Sequence, residues 1–208
     1  MCARQQLSGE SMALQALAKI NGRLKFLYRK ESFLIGNLKR LLCNALIQPH
    51  FDFASSAWYP CLNKTFRKKI QVAQNKCIRF CLGLGDRSHI GATEFKAVNW
   101  LPTKERFEQS VCVGIFNFFA NAAPAYISEM YIPVEQSRVT RRSFNKLRIM
   151  NQKTNRGLKI LSFAGPRLWN CLPNSIKFAT SANNFKHNLK KLFFDNLLAR
   201  DLDPYIYY

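Results

Sequence analysis

The chain has 208 residues, of which 48% are hydrophobic and 13% aromatic, so it has enough apolar side chains for a packed core and is not a wholly disordered protein. Its 32 Lys and Arg residues against 12 Asp and Glu give a formal net charge of +20, well beyond what solubility alone requires. This charge predicts nucleic acid as the first class of partner and an anionic membrane surface as the second, with plain solvation of outer helix faces as the simplest alternative.

Cysteine usage and the N-terminus bear on the compartment. The seven cysteines are odd in number and irregularly spaced, which does not suit a disulfide framework. The first residues lack the apolar stretch of a secretory signal, so we expect a nuclear or cytoplasmic protein that is not secreted. The uncharged stretch 109–128 is interrupted by Asn117, Asn121 and Pro124, and we interpret it as a buried helix and not as a membrane span.

Apolar residues that recur every three or four positions predict helices up to about residue 130. After residues 1–10, which we expect to be disordered, the first helix begins near Ser11. A second helix runs from about Phe33 to Leu46, and Pro49 ends it because a proline disfavours the helical conformation of the residue before it. The predicted apolar faces consist of Leu14, Leu17, Ile20, Leu24, Leu27 and Tyr28 in the first helix and of Phe33, Leu34, Leu38, Leu41, Leu42, Ala45 and Leu46 in the second.

The third predicted helix begins at the cap residues Asn63 and Thr65 and ends at Gly83. Its basic side chains lie mostly off its apolar face. A short element over residues 94–98 follows, and a fourth helix begins at about Thr103. Another short helical turn is predicted near residue 127.

The C-terminal third has a different pattern. Over residues 133–162 the helical period is lost, and short strands or extended chain are predicted instead. Gly165-Pro166 is expected to start a short helix that Pro173 ends, and Ser181 is expected to cap a final helix. The predicted fold is therefore mainly α, a helical bundle with a small β element in its C-terminal third.

No Asp or Glu occurs from Gln136 to Phe194. Because this acid-free tract also holds apolar residues such as Trp169 and Leu172, we interpret it as a folded basic surface and not as a cationic tail. Its cations would contact phosphates, which position a nucleic acid without reading its sequence. The candidate nucleic-acid-binding residues are Arg138, Arg141, Arg142, Lys146, Arg148, Lys153, Arg156 and Lys159 in the tract, and Arg67, Lys68, Lys69, Lys76 and Arg79 on the third helix.

Other patterns have structural alternatives that we prefer. Cys61, Cys77, Cys81 and His89 could supply zinc ligands, but two of these cysteines fall on an apolar helix face and are better explained as core residues, so we expect no metal and no cofactor. His50 beside Asp52 suggests a general base, yet no nucleophile lies nearby in sequence, so a structural hydrogen bond is expected.

The tryptophans could stack on bases, as aromatic residues do in single-strand-binding proteins. Trp100 and Trp169 lie next to leucine, and Trp58 lies two residues before Pro60, which suits a core anchor better. The expected structural anchors are Trp58, Trp100, Trp169 and Pro173.

Six short motifs occur in a defined order along the chain. They are Leu46-Ile47-Gln48-Pro49-His50-Phe51-Asp52-Phe53, Gln74-Asn75-Lys76-Cys77-Ile78-Arg79, Asn99-Trp100-Leu101-Pro102 with Arg106, Pro124-Ala125-Tyr126, Gly165-Pro166-Arg167-Leu168-Trp169-Asn170-Cys171-Leu172-Pro173 and Asn184-Phe185-Lys186-His187-Asn188-Leu189-Lys190. In this order, from about residue 14 to residue 192, the chain resembles the C-terminal (thumb and post-thumb) region of a non-LTR retrotransposon reverse transcriptase of the jockey and CR1 group.

The resemblance has consequences for domains and partners. It implies a helical thumb-like domain over residues 11–130, a basic C-terminal region with short strands and a final helix over 131–198, and a tail over 199–208. It further implies binding to the backbone of RNA, DNA or an RNA/DNA hybrid, with the remainder of a reverse transcriptase as another partner. The residues themselves lead us to expect no membrane span.

The same resemblance argues against catalysis by this chain alone. In the family, the palm carries metal-binding carboxylates in a Tyr-x-Asp-Asp turn, and this chain has no adjacent Asp pair; Asp201-Leu202-Asp203 is the nearest approach. We therefore expect a nucleic-acid-binding fragment that lacks the catalytic palm. A recruited protein-interaction or structural domain and a non-functional translated relic of a degenerate element are the alternatives.

Overall fold

The computed structural model describes residues 9–134, 145–151, 153 and 161–202, and these are mainly α-helical, as the sequence predicts. Short 3₁₀ turns span Glu31–Phe33 and Tyr59–Cys61. The α-helices are α1 (Gly9–Arg29), α2 (Gly36–Leu46), α3 (Gln48–Asp52), α4 (Ser55–Trp58), α5 (Lys64–Leu82), α6 (Ala92–Val98), α7 (Thr103–Phe119), α8 (Ala125–Ser128), α9 (Leu161–Cys171), α10 (Asn174–Lys177) and α11 (Ala182–Leu202).

The chain divides into two compact units. Unit one comprises residues 1–105 and 194–208, and unit two comprises residues 106–193. The predicted boundary near residue 130 does not coincide with this division, because Phe116 of α7 stacks on Phe185 of α11, with 4.7 Å between the ring centroids. The helical regions also extend further than predicted, since α1 begins at Gly9 and α11 continues to Leu202.

Unit one is built around the packing of α1 on α5. The buried residues of α1 repeat at alternating intervals of four and three, which keeps them on one stripe of the helix. Two predicted members of that face, Leu14 and Tyr28, are exposed instead. The residues that do point inward are Ala13, Leu17, Ile20, Leu24 and Leu27.

The second helix differs from its prediction. It begins at Gly36, after the 3₁₀ turn that holds Phe33, and Cys43 is its buried residue. Leu38 and Leu41, predicted to be buried, are exposed, because α2 contacts α3 and α5 along its other side. The helix ends at Leu46, as predicted. Pro49 lies three residues further on, in the first turn of α3, where a missing N–H is tolerated.

The third predicted helix, α5, is confirmed with both of its ends. The Asn63 side-chain oxygen accepts a hydrogen bond from the N–H of Phe66 at 2.8 Å, which satisfies one of the free donors of the first turn. Gly83 closes the helix in the left-handed conformation, with φ of 64°, which a residue without a Cβ adopts at little cost.

A buried polar network fixes α5 against the segment that leads into α7. Gln74 is fully buried, and its Nε2 donates to the carbonyl of Leu101 at 2.8 Å. Gln71 Oε1 accepts from both the backbone N–H and the hydroxyl of Thr103, at 3.0 and 2.9 Å. These bonds account for the inward-facing glutamine on an otherwise apolar helix face, since a buried amide is costly unless it is paired.

Unit two has Trp169 at its centre. This side chain is completely buried, and its ring lies 5.4 Å from that of Phe119 and 5.7 Å from that of Phe185. Its helix, α9, begins at Leu161 and not at Gly165-Pro166, so Pro166 lies inside the helix and removes one helical hydrogen bond.

The predicted β element is reduced to an antiparallel bridge between Pro133 and Leu147 among the described residues. The strand pattern predicted near Ile160 lies outside those residues, and Phe163 belongs to α9. Hydrogen bonds beside the bridge run from the Val134 N–H to the Lys146 carbonyl at 3.0 Å and from the Arg148 N–H to the Ile132 carbonyl at 2.8 Å.

Candidate nucleic-acid interface

The structure describes all the candidate residues on α5 but only part of the acid-free tract. In the tract it describes Lys146, Arg148 and Lys153, all of them exposed. The other candidates lie outside the described residues; they are Arg138, Arg141, Arg142, Arg156 and Lys159.

The exposed face of α5 carries a stripe of lysines. Lys68, Lys69 and Lys76 are exposed, and so is Lys64, which sequence reasoning missed. Because an α-helix turns by about 100° per residue, residues four apart lie nearly above one another. Lys64 and Lys68 therefore lie about 40° apart around the helix axis, and Lys69 and Lys76, seven residues apart, about 20° apart. The four lysines span an arc of about 140° on the exposed side of α5, and we call them the lysine stripe. In the sequence, the spacing of four residues between Lys64 and Lys68 could have indicated that Lys64 belongs to the same face.

The length and charge of the lysine stripe suit a polyanion. Its ends, Lys64 and Lys76, are separated by a rise of about 18 Å along the helix axis. A nucleic-acid duplex carries about ten phosphate charges over such a length. No Asp or Glu occurs anywhere in α5, so no carboxylate of this helix offsets the lysines.

The two arginines of α5 have a different setting from the lysines. The Arg67 guanidinium donates to the carbonyl of Pro60 at 3.1 Å and lies over the ring of Tyr59 at 5.4 Å. Arg79 Nε donates to the carbonyl of Ser88 at 2.9 Å. These arginines thus connect α5 to the chain segments before and after it, and their predicted contact with nucleic acid stays a prediction.

In unit two, a side-chain clamp holds the described part of the basic tract. Asn170 of α9 pairs with both backbone groups of Leu147: its Oδ1 accepts from the N–H at 3.0 Å, and its Nδ2 donates to the carbonyl at 2.8 Å. The indole N–H of Trp169 donates to the carbonyl of Asn145 at 2.6 Å. We call these contacts the Asn170 clamp. They replace the backbone pairing that a neighbouring strand would give.

The Asn170 clamp places two cations at the surface. Leu147 is buried, and Lys146 and Arg148 on either side of it are exposed, as side chains alternate along extended chain. Lys177 lies nearby, buried, with its ammonium 5.6 Å from the Trp169 ring. Burial lowers the pKa of Lys177, and the charge of Lys146 lowers it further.

The tryptophans are anchors and are not available to bases. All three are buried, and each indole N–H has a partner. Trp58 donates to the Phe53 carbonyl at 2.7 Å, and Trp100 donates to the Asn44 side chain at 2.8 Å. Pro173, the other expected anchor, is exposed and precedes α10.

The described residues do not support a metal site or a membrane-spanning helix. Among them, no group of three or more potential ligands could hold a metal ion. Burial raises the pKa of the Cys77 thiol to about 12, as is expected for a cysteine in an apolar core. No described helix is long and apolar enough to cross a membrane.

His50, which was considered as a general base, is partly buried and close to two cations. Burial lowers the pKa of His50, and the charges of Arg23 and Lys19 lower it further. Its Nε2 is buried and has no hydrogen-bond partner among the described residues. The structural hydrogen bond expected at this histidine is thus missing at Nε2, and both cations that act on the ring, Lys19 and Arg23, belong to α1.

We expect the substitution Asn170→Ala to weaken unit two. Two backbone groups of Leu147 would lose their partners, which costs about 2 kcal/mol of unfolding free energy. Urea unfolding measures this loss, and amide hydrogen exchange at Leu147 should accelerate. Asn184→Ala, on the exposed first turn of α11, is the matched control and should change stability by less than about 0.5 kcal/mol. Equal stability of the two variants would contradict the clamp.

Comparison with known proteins gives no relative on which to base a function: no family model, no curated protein and no solved structure matches the chain. The candidate interface therefore depends on the geometry and charge of this chain's own residues.

Proposed function

We propose that the chain binds nucleic acid through the sugar-phosphate backbone, as the thumb-type part of a retroelement RNA-directed DNA polymerase. The observation that carries this proposal is the lysine stripe: four exposed lysines on one helix that has no acidic residue. Such a surface attracts polyanions, and a nucleic acid presents a continuous row of phosphate charges along this length.

The rigidity of α5 supports the proposal. Its inner face is buried in unit one through residues such as Ile70, Cys77 and Ile78. The Asn63 cap and the buried Gln74 amide hold the helix in place along its length. Because the helix is fixed before any ligand arrives, binding would order only the lysine side chains and would not have to order backbone.

The type of cation predicts the type of recognition. A lysine ammonium is a flexible point charge, whereas reading a guanine edge usually takes a bidentate arginine. Arg67 and Arg79 are engaged with backbone carbonyls. We therefore propose contacts with phosphates and no selection of base sequence.

Unit two supplies a second basic surface of the same kind. The Asn170 clamp leaves Lys146 and Arg148 exposed on an anchored segment. We propose that they also contact phosphates, in a nuclear or cytoplasmic setting where RNA, DNA or their hybrid is the ligand.

The proposal is tested by fluorescence anisotropy of a labelled RNA/DNA hybrid duplex, repeated across a salt series. The logarithm of affinity should fall with the logarithm of salt by about 0.7 to 0.9 for each phosphate contacted. We expect the combined change Lys68→Ala, Lys69→Ala, Lys76→Ala to reduce this slope by about 2 to 3.

The control is a second triple variant that loses the same number of positive charges outside the lysine stripe. Lys25→Ala, Lys30→Ala, Lys96→Ala removes three exposed lysines of unit one outside the lysine stripe, and it should leave the slope nearly unchanged. Equal effects of the two triple variants would mean that net charge alone drives binding. Loss of all wild-type binding at moderate salt would also contradict the proposal.

We propose, in addition, that this chain alone does not polymerise DNA. Polymerase chemistry needs carboxylates that hold two divalent ions, and the described residues contain no group of side chains suited to that task. Extension of a primed RNA template by the purified chain is the test. We expect no incorporation; incorporation that disappears with a chelator and persists through repeated purification would contradict this proposal.

A further inference from the structure

One face of unit one is apolar and open. It is formed by the 3₁₀ turn Glu31–Phe33, by Ile35 just before α2, and by α2 itself. Phe33 is 78% exposed, Ile35 80% and Leu41 62%. Leu38 is exposed as well. We call these four residues the α2 apolar surface.

Their arrangement distinguishes them from scattered surface residues. Leu38 and Leu41 are three residues apart in α2 and so share one side of that helix. Ile35 is the extended residue just before α2, and Phe33 ends the preceding 3₁₀ turn. Single exposed apolar residues are normal on soluble proteins, whereas a contiguous group of large ones marks a contact surface.

A groove adjoins the α2 apolar surface. It has a volume of about 430 Å³, and its lining includes Ile35 and Arg40 from α2 and its preceding residue, Cys81 and Leu82 from the end of α5, and Val98 from α6. The lining of the groove is mixed: the apolar side chains of Ile35, Leu82 and Val98 lie beside the polar Asn37 and the exposed Arg40. The groove can receive an apolar side chain of a partner, as interface pockets do.

The surroundings of this surface are positively charged. Residues 25–41 contain five cations and one acid, Glu31, and Glu31 pairs with Lys39 at 2.6 Å. The exposed cations in this segment are Lys25, Arg29, Lys30 and Arg40. An acidic partner fits this rim, and like charges would oppose docking of a second copy of the chain on the same surface.

We propose that the α2 apolar surface is a docking site for an acidic amphipathic helix of a partner protein. The apolar face of that helix would cover Phe33, Ile35, Leu38 and Leu41, with one of its side chains in the groove, and its carboxylates would lie near Arg40. This is the helix-in-groove mode of recognition. The concave groove favours a polypeptide over a lipid surface, because a side chain can fill it. The inference is independent of the proposed nucleic-acid binding.

The test uses a synthetic amphipathic peptide of about four helical turns, with Leu and Phe along one stripe and Glu elsewhere. A second peptide has Lys in place of every Glu. Fluorescence anisotropy gives the affinities, and NMR of methyl-labelled protein locates the site. We expect binding of the Glu peptide, with shifts at the methyl groups of Ile35, Leu41 and Val98, and at least about tenfold weaker binding of the Lys peptide.

Surface variants separate docking from general charge attraction. Ile35→Ser with Leu41→Ser changes exposed residues, and so it should preserve the fold while lowering affinity for the Glu peptide by at least about tenfold. Arg40→Glu should weaken it as well. Two variants should bind normally: Leu14→Ser, which changes an exposed leucine elsewhere, and Lys68→Ala, Lys69→Ala, Lys76→Ala on α5.

Several outcomes would overturn the proposal. Equal binding of the Glu and Lys peptides, unchanged binding by the Ile35→Ser, Leu41→Ser variant, or methyl shifts elsewhere would each do so. Failure to bind the Glu peptide, together with variant-sensitive binding to phosphatidylcholine and phosphatidylserine vesicles, would assign the surface to a membrane. Dimerisation in sedimentation experiments that this double variant abolishes would assign it to a second copy of the chain.

Discussion

The burial of the inner face of α5 is the constraint on which unit one depends. Ile70, Ala73, Cys77 and Ile78 fill the space between this helix and its neighbours, and Gln74 adds a buried hydrogen bond to the carbonyl of Leu101. Once that face is buried, the helix can present only its opposite side to solvent. That side carries the lysine stripe, so one packing arrangement determines where the charge is displayed.

Unit two also displays cations on a packed surface, but it does so on a segment without regular secondary structure. Trp169 occupies the centre of its aromatic core, and the neighbouring Asn170 pairs with the backbone of Leu147. A side-chain amide can pair with a backbone N–H and C=O at once, and so it can anchor a segment that belongs to no strand. The exposed cations on either side of Leu147 are thereby held on a packed surface and do not depend on regular secondary structure.

The sequence predicted α5 well because its signals are local. Asn63, Gly83 and the helical spacing of apolar residues act within the helix itself. The burial of α2 was predicted wrongly because periodicity shows which side of a helix is apolar but not whether another part of the chain covers it. The start of α9 was missed since Pro166, a usual helix boundary, lies inside the helix.

For the candidate site, too, the sequence does not reveal which residues contact one another in the folded chain. Arginine and lysine in α5 are equivalent in a count of charge, and only the folded chain separates the arginines that bond to carbonyls from the lysines that face solvent. Long-range pairs such as Trp100 with Asn44 have no sequence signal. The absence of acidic residues in the tract is a property of the sequence alone. The Asn170 clamp that anchors part of the tract joins residues 23 positions apart, and no local pattern predicts it.

The most direct test of the central claim is lysine footprinting by mass spectrometry with an acylating reagent, in the presence and absence of an RNA/DNA hybrid. If the lysine stripe contacts phosphates, the hybrid should reduce acylation at Lys64, Lys68, Lys69 and Lys76 and leave the exposed Lys25 and Lys96 as reactive as before. Uniform protection of all exposed lysines, or protection that spares α5, would contradict the account.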